Sequence, residues 1–182
     1  MPETDTKKIL PLLSSSPRKN LPHSVSSKRT ENNFALSFAR SYIKSKKSKS
    51  FVAARELQMN GYGIPDLVFL FDLNTEVSRP KKNVLVAFEV KVKDWRRAIP
   101  QAFRYKYFAN ASIVVLPLRS AKKAQEYIDT FKALSIGLWT FDKKTDRLTK
   151  LYTPRYSNPI NESVHQKASD ILNKKFRLRQ SA

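Results

Sequence analysis

Four apolar runs of strand length follow one another through the middle of the chain. They are FVAAREL at 51–57, LVFLFDL at 67–73, VLVAFEV at 84–90 and SIVVLPL at 112–118. Their length, and the β-branched and aromatic residues in them, favour β-strands over helices. The first run ends at the turn signal NGYG, before the second begins. Runs that are apolar on both faces are typical of central strands that are covered on both sides.

Helical patterns lie before and between these strands. Apolar residues recur near helical spacing from Thr30, which is a candidate N-cap. The segment at 94–109 has a helical composition with Asp94 as a second candidate N-cap, and Pro100 either opens this helix or kinks it. The predicted order of elements over residues 30–117 is therefore α-β-β-β-α-β.

The rest of the chain adds elements to this core. A helix is predicted at 121–134, followed by the strand GLWTF, a possible edge strand RLTKLYT and an amphipathic C-terminal helix. We predict an α/β fold with a central mixed sheet flanked by helices. It forms one domain at 30–182, with its core at 30–117 and an α/β extension at 118–182. Residues 1–29, rich in Ser, Pro and Lys, are predicted to form a flexible basic tail.

Charged side chains occur at the ends of two apolar strands. Alternation along the third strand places Glu89 and Lys91 on the same face, about 7 Å apart along the strand. Asp66 opens the preceding strand, directly after the Gly-containing turn. A lone buried carboxylate costs several kcal/mol, so Glu89 requires a compensating partner.

Two interpretations satisfy that requirement. In the simpler one, Glu89 pairs with Lys91 or with a nearby Arg at the end of the sheet. In the other, neighbouring strands bring Asp66 and Glu89 together at one edge, where paired carboxylates suit Mg²⁺ or Mn²⁺. A lysine beside such an ion can orient or help deprotonate a water molecule, which indicates metal-assisted phosphodiester hydrolysis.

Composition indicates a binding partner and argues against several classes of site. The 182 residues include 35 Lys and Arg against 15 Asp and Glu, a formal net charge of +20, which is typical of proteins that bind nucleic acid. There is no Cys and only two His, neither near the acids, which argues against disulfides, a thiol nucleophile or a zinc site. No apolar run is long enough to span a membrane, so we expect no membrane partner and a cytoplasmic location.

The motifs resemble those of the PD-(D/E)xK nuclease superfamily. Pro65-Asp66 is similar to the PD element and Glu89-Val90-Lys91 to the ExK element. QAFRY, from Gln101 to Tyr105, matches the Q-x-x-x-Y element of the subgroup that resembles the nuclease domains of bacterial recombination helicase-nucleases. The resemblance covers about residues 30–117.

The resemblance implies a restriction-endonuclease-like fold and hydrolysis of DNA with Mg²⁺ or Mn²⁺. It implies that Asp66 and Glu89 ligate the metal and that Lys91 positions or activates water. Gln101 and Tyr105 are implied to support the site and contact the nucleic acid. Composition by itself does not distinguish DNA from RNA.

The family also places an acid on the first helix, and two residues compete for that role. Glu31 lies near the predicted helix start, where it could instead complement the helix dipole. Glu56 lies on the first strand, just before the Gly-containing turn, and could face Asp66 by alternation. Sequence alone leaves both open as auxiliary metal ligands.

Basic residues near these motifs are candidates for phosphate contact, and aromatic residues among them suit base stacking. The candidates are Lys44, Lys46, Lys47, Lys49, Arg96, Arg97, Arg104 and Lys106. A basic face that is merely solvated is the simpler interpretation. Two other functions remain open: a catalytically silent nucleic-acid-binding protein of the same fold, and a structural basic RNA-binding protein. A homodimer is compatible with either.

Overall fold

The structure is a computed structural model of the chain and describes residues 25–46, 51–72 and 83–180. Over these ranges the protein has the predicted α/β fold, with a six-stranded mixed sheet flanked by five helices. The strands are β1 Phe51–Arg55, β2 Leu67–Asp72, β3 Asn83–Val90, β4 Ala111–Leu116, β5 Gly137–Asp142 and β6 Arg147–Tyr152. The helices are α1 Val25–Lys44, α2 Trp95–Tyr105, α3 Leu118–Gln125, α4 Ile128–Ala133 and α5 Glu162–Gln180.

The strands lie in the sheet in the order in which they occur in the sequence. β1, β2 and β3 form an antiparallel meander, β3, β4 and β5 are parallel, and β6 returns antiparallel at the edge. Parallel neighbours need a crossover, which α2 supplies between β3 and β4, and α3 with α4 between β4 and β5. The strand ends on one side of the sheet form what we call the upper edge, which is distinct from the edge strands β1 and β6. It comprises the starts of β2 and β6 and the ends of β1, β3, β4 and β5.

The two faces of the sheet are covered differently. α1 covers the first face, where a cluster rich in Phe, Tyr and Trp includes Phe38, Phe88 and Trp139. α2, α3, α4 and α5 pack on the second face against mainly aliphatic side chains. β3 alternates as predicted: Val84, Val86, Phe88 and Val90 join the first cluster, whereas Leu85, Ala87 and Glu89 turn to the second face.

The first helix begins earlier than predicted. α1 starts at Val25, so Thr30 lies inside the helix rather than at its N-cap, and residues 25–29 of the predicted tail are helical. Residues 25–29 contain neither Gly nor Pro, so nothing in their chemistry stops the helix from extending. The remainder of the predicted tail, residues 1–24, lies outside the described residues.

Two other helices also differ from expectation. Asp94 precedes α2 but makes no side-chain capping hydrogen bond, and Pro100 lies inside the helix, which begins at Trp95. The single helix predicted at 121–134 is two helices, α3 and α4, interrupted before Ile128 at Tyr127. The Tyr127 ring lies 5.1 Å from the Trp95 ring, so a tertiary contact accompanies the interruption.

The extension contributes to the same sheet as the core. β5 and β6 add two strands beside β4, and β6 is the predicted edge strand. α5 forms where the C-terminal amphipathic helix was predicted and packs Ala168 and Leu172 against the second face. Among the described helices, none has the length and apolar character required to cross a bilayer.

Candidate active site

Asp66 and Glu89 lie opposite each other at the upper edge. The antiparallel register pairs Leu67 with Phe88, so Asp66, the next residue outward, faces Glu89 on the adjacent strand. Directly opposed residues in an antiparallel pair point to the same face of the sheet. Asp66 is held there because its Oδ2 accepts a hydrogen bond of 2.7 Å from the Val90 backbone N–H. The predicted convergence of the two acids is therefore present in the structure.

Glu89 is buried and bound by three side chains. The Lys91 Nζ lies 2.6 Å from Glu89 Oε1, and the Tyr105 hydroxyl donates to Oε2 at 2.5 Å. With its amide nitrogen oriented toward Glu89, Gln101 donates to Oε1 at 3.0 Å and also to the Arg97 carbonyl oxygen at 3.0 Å. Gln101 and Tyr105 lie one helical turn apart on α2, so this helix carries both donors to the end of β3.

The Gly-containing turn before Asp66 packs directly on Tyr105. The Tyr105 hydroxyl oxygen lies 3.1 Å from the Ile64 carbonyl oxygen as well as beside Glu89. Gly63 has a φ of +95°, and a Cβ at this position would lie 3.2 Å from the Tyr105 ring. Glycine is therefore required both for the backbone conformation and for the close approach. The sequence marked a turn here, but the contact between the turn and α2 could not be read from it.

The structure separates the two candidates for the third acid. Glu31 on α1 accepts a hydrogen bond of 3.3 Å from the Val92 backbone N–H, and its Oε2 lies 3.9 Å from the Lys91 ammonium. Glu56 follows the end of β1 with a φ of +49° and an exposed side chain. Its backbone N–H donates to the Asp66 carbonyl oxygen at 3.3 Å. Glu31 is thus the acid that reaches the lysine of the cluster.

Burial and mutual charge shift the protonation of the cluster. Burial, followed by the charge of Glu89, raises the pKa of Asp66 to about 7. Burial also raises the pKa of Glu89, although Lys91 and the Tyr105 hydroxyl oppose the rise. Burial by itself would lower the pKa of Lys91, but the charges of Glu89 and Asp66 hold it above its ordinary value. A further cation beside these two carboxyl groups is therefore favoured, because it would stabilise their ionised forms.

Asp66 and Glu89 fit a divalent ion that is also bound by water and substrate. The described residues contain no group of three or more His, Cys, Asp or Glu side chains placed to hold a metal by themselves. Mg²⁺, however, is ordinarily held by one or two carboxylates together with water and substrate phosphates. Asp66 Oδ1 accepts no hydrogen bond from the described residues, which leaves an oxygen for such an ion. Mn²⁺ suits the same ligands.

The predicted phosphate contacts at the end of α1 are only partly described. Lys44 is exposed, whereas the Lys46 ammonium lies 4.8 Å from the centre of the Tyr42 ring. Lys47 and Lys49 lie outside the described residues. Of the two lysines that the structure describes here, Lys44 is therefore the one whose exposure suits an encounter with a phosphate.

Two of the predicted basic residues on and after α2 make contacts within the protein. The Arg96 guanidinium lies 4.5 Å from the centre of the Trp95 ring. The Lys106 ammonium donates to the Leu134 carbonyl oxygen at 2.8 Å, and burial lowers its pKa. Both side chains therefore have a structural role within the protein, and sequence reasoning did not foresee it.

Arg97 and Arg104 remain exposed beside the acids. Arg97 offers its carbonyl oxygen to Gln101, and its side chain is largely in solvent. The Arg104 Nε lies 3.9 Å from the position that a Cβ on Gly63 would occupy, next to the turn that leads to Asp66. Two exposed cations thus flank the cluster on the solvent side of α2.

Comparisons with known proteins leave the family open. No family model matches the chain, and no curated protein has a significantly similar sequence. Membership of the PD-(D/E)xK superfamily therefore stays a prediction that rests on the motifs and on the cluster around Asp66 and Glu89.

Proposed function

We propose that the protein is a metal-dependent nuclease that hydrolyses DNA phosphodiester bonds. The observation that carries the proposal is the meeting of Asp66, Glu89 and Lys91 at one edge of the sheet, with Lys91 Nζ 2.6 Å from Glu89 Oε1. Burying Glu89 beside the partly buried carboxylate of Asp66 is costly, and a fold rarely retains such a pair without a use for it.

Each side chain of the cluster has a proposed role that follows from its position. Asp66 and Glu89 would hold a Mg²⁺ or Mn²⁺ ion, which when bound polarises a phosphoryl oxygen and stabilises the leaving group. Lys91, fixed by Glu89, can hydrogen-bond the attacking water or a phosphate oxygen. Gln101 and Tyr105 fix the Glu89 carboxylate, and Glu31 keeps the lysine ammonium beside it.

The choice of substrate rests on charge and on the family resemblance. A formal net charge of +20 favours a polyanion, and exposed Arg97 and Arg104 beside the acids suit phosphate contact. DNA rather than RNA is favoured by the resemblance to PD-(D/E)xK nucleases alone.

The direct experiment measures cleavage of plasmid DNA in Mg²⁺ and in Mn²⁺ by the wild type and by Lys91→Ala. The matched control is Lys93→Ala, because Lys93 is an exposed lysine two residues away and outside the cluster. We expect Lys91→Ala to lose cleavage, Lys93→Ala to retain it, and EDTA to abolish it in every variant. Cleavage that persists in Lys91→Ala, or that needs no divalent ion, would refute the assignment.

One observation favours a second function, a catalytically silent nucleic-acid-binding protein. Glu89 already receives hydrogen bonds from three side chains, so its burial is compensated without a metal ion. This alternative predicts that the wild type binds DNA or RNA without a divalent ion and cuts neither. Parallel binding and cleavage assays on the same preparation distinguish the two functions.

A further inference from the structure

A cavity lies at the upper edge, away from the acid cluster. It has a volume of about 390 Å³ and lies between the end of β5, the start of β6 and the beginning of α3. Its lining residues are Leu118, Thr140, Asp142, Thr145, Arg147 and Thr149. The reaction proposed above uses none of these side chains.

The register places this cavity in line with Lys91. Val90 pairs with Val115, so Lys91 is level with Leu116, which pairs with Thr140. Two strand spacings separate Lys91 from Thr140, a backbone distance of about 10 Å. The first turn of α3 bridges the interval, because the Ser120 hydroxyl donates to the Val92 carbonyl oxygen at 2.7 Å. The two sites are therefore close enough for one strand of a nucleic acid to contact both.

The wall of the cavity contains an unsatisfied hydroxyl group. Thr140 is 5% exposed, and its Oγ1 has no hydrogen-bond partner among the described residues. Buried hydroxyl groups in native proteins are nearly always hydrogen-bonded, and an unpaired one is destabilising. The Oγ1 atom is itself covered in this structure, and its missing partner is explained if the Thr140 side chain rotates toward a ligand bound in the cavity.

The neighbouring groups define the chemistry of that ligand. Asp142 accepts 2.9 Å hydrogen bonds from the Lys144 N–H and the Thr145 hydroxyl, one on each oxygen, so each oxygen keeps a further acceptor site. Arg147, the cross-strand partner of Asp142, forms no ion pair with the described residues. Leu118 is 52% exposed and offers an apolar surface. An apolar surface, fixed hydrogen-bonding groups and a cation together match a nucleobase with its phosphate.

We propose that this cavity binds the base of an unpaired nucleotide in the strand whose backbone reaches the acid cluster. Thr140 and Asp142 contact the edge of the base, Leu118 packs on its face, and Arg147 contacts the adjoining phosphate. A base cannot enter a cavity while it is stacked and paired, so the preferred substrate contains single-stranded nucleotides. The proposal rests on the function proposed above and specifies its substrate class. The 10 Å interval corresponds to roughly three nucleotides along a duplex axis, and to fewer in an extended strand.

The test compares binding of a labelled single strand of about 12 nucleotides with binding of the fully paired duplex of the same sequence, in EDTA so that neither is cut. Fluorescence anisotropy is measured for the wild type, Thr140→Val and Arg147→Ala. We expect Thr140→Val to weaken single-strand binding about fivefold and to leave duplex binding unchanged, because one hydrogen bond is lost. Arg147→Ala should weaken single-strand binding about tenfold and duplex binding less.

The control variant is Thr130→Val, which removes an exposed hydroxyl from α4 outside the cavity. Thr140→Val replaces an unpaired hydroxyl with a methyl group of similar size, so it should fold, and its thermal midpoint verifies this. Equal loss for single strand and duplex, or no loss beyond that of Thr130→Val, would overturn the base-binding role and leave the nuclease proposal standing. A wild type that binds no nucleic acid at all would overturn both.

Discussion

The two faces of the sheet differ in what they bury. The first face packs aromatic rings around Phe88, whose ring centre lies 5.1 Å from that of Tyr42 and 5.2 Å from that of Phe38. The second face and its helices contain all five buried Glu, Ser, Thr and His side chains of the described residues. These are Glu89, Ser112, Thr140, His165 and Ser169. Both faces belong to the same strands. Alternate residues along one strand therefore either join the aromatic cluster or lie on the face that contains the buried polar groups.

The difference indicates that stability and chemistry are divided between the faces. Burial of the aromatic rings contributes free energy in proportion to the apolar area removed from water. Buried polar groups contribute less to stability and need fixed partners, which α2 supplies to Glu89 and Ser112 on the second face. A change on the first face should therefore affect folding, whereas a change on the second should affect binding or catalysis.

The largest expected effect is on the first face. Phe88→Ala removes a ring that contacts four other aromatic rings, and we expect the free energy of unfolding to fall by about 3–5 kcal/mol. Urea unfolding measures the change. Phe103→Ala, at a position 36% exposed on α2, is the matched control and should cost less than about 1 kcal/mol. Similar losses in both variants would contradict the division between the faces.

The next effect, on the second face, should separate activity from stability. Asp66→Asn retains an acceptor for the Val90 N–H but removes one of the two proposed metal ligands. We expect DNA cleavage to fall by about a hundredfold or more, because even groups that only support a ligand are worth 10–100-fold. At pH 8 the variant should be at least as stable as the metal-free wild type. An Asp66→Asn protein that is less stable than the wild type and keeps its activity would contradict the division between the two faces.

The protonation of Asp66 should make stability depend on pH. Its pKa rises from 3.8 in the unfolded chain to about 7 in the fold, so between these values the folded chain holds a proton that the unfolded chain has lost. Stability without metal therefore falls as pH increases from about 4 to 7. The thermal midpoint in EDTA should show this slope, and Asp66→Asn should flatten it. Mg²⁺ should raise the midpoint more at pH 8 than at pH 5, because metal binding displaces the proton.

The smallest effect concerns the turn before Asp66, where two glycines form a matched pair. Gly61 and Gly63 have φ values of +82° and +95°, so alanine at either should cost about 1–2 kcal/mol. A Cβ on Gly61 would meet nothing within 4 Å, whereas one on Gly63 would press on the Tyr105 ring at 3.2 Å. We expect Gly63→Ala to lower activity about tenfold and Gly61→Ala to leave it nearly unchanged. Equal activities in the two variants would show that the contact between the turn and Tyr105 does not affect catalysis.

Local pattern was enough to predict most elements of the core. The α-β-β-β-α-β order, the alternation of β3 and the edge position of β6 follow from apolar periodicity, because each element must bury one face or both. The boundaries of α1 and the division of 121–134 into two helices did not follow. Helix ends depend on caps and on contacts such as that between Tyr127 and Trp95, which a single segment does not encode.

The sequence by itself determined which residue types could carry chemistry: Asp66, Glu89 and Lys91 at strand ends, with Gln101 and Tyr105 on the next helix. Only the tertiary structure decided which groups meet. It brought Glu31 rather than Glu56 to Lys91, turned Lys106 inward, and aligned Thr140 with Lys91 across three strands. The physical reason is that alternation and helical spacing fix the direction of a side chain within its own element. Strand register and helix packing fix the distance to residues far away in the chain.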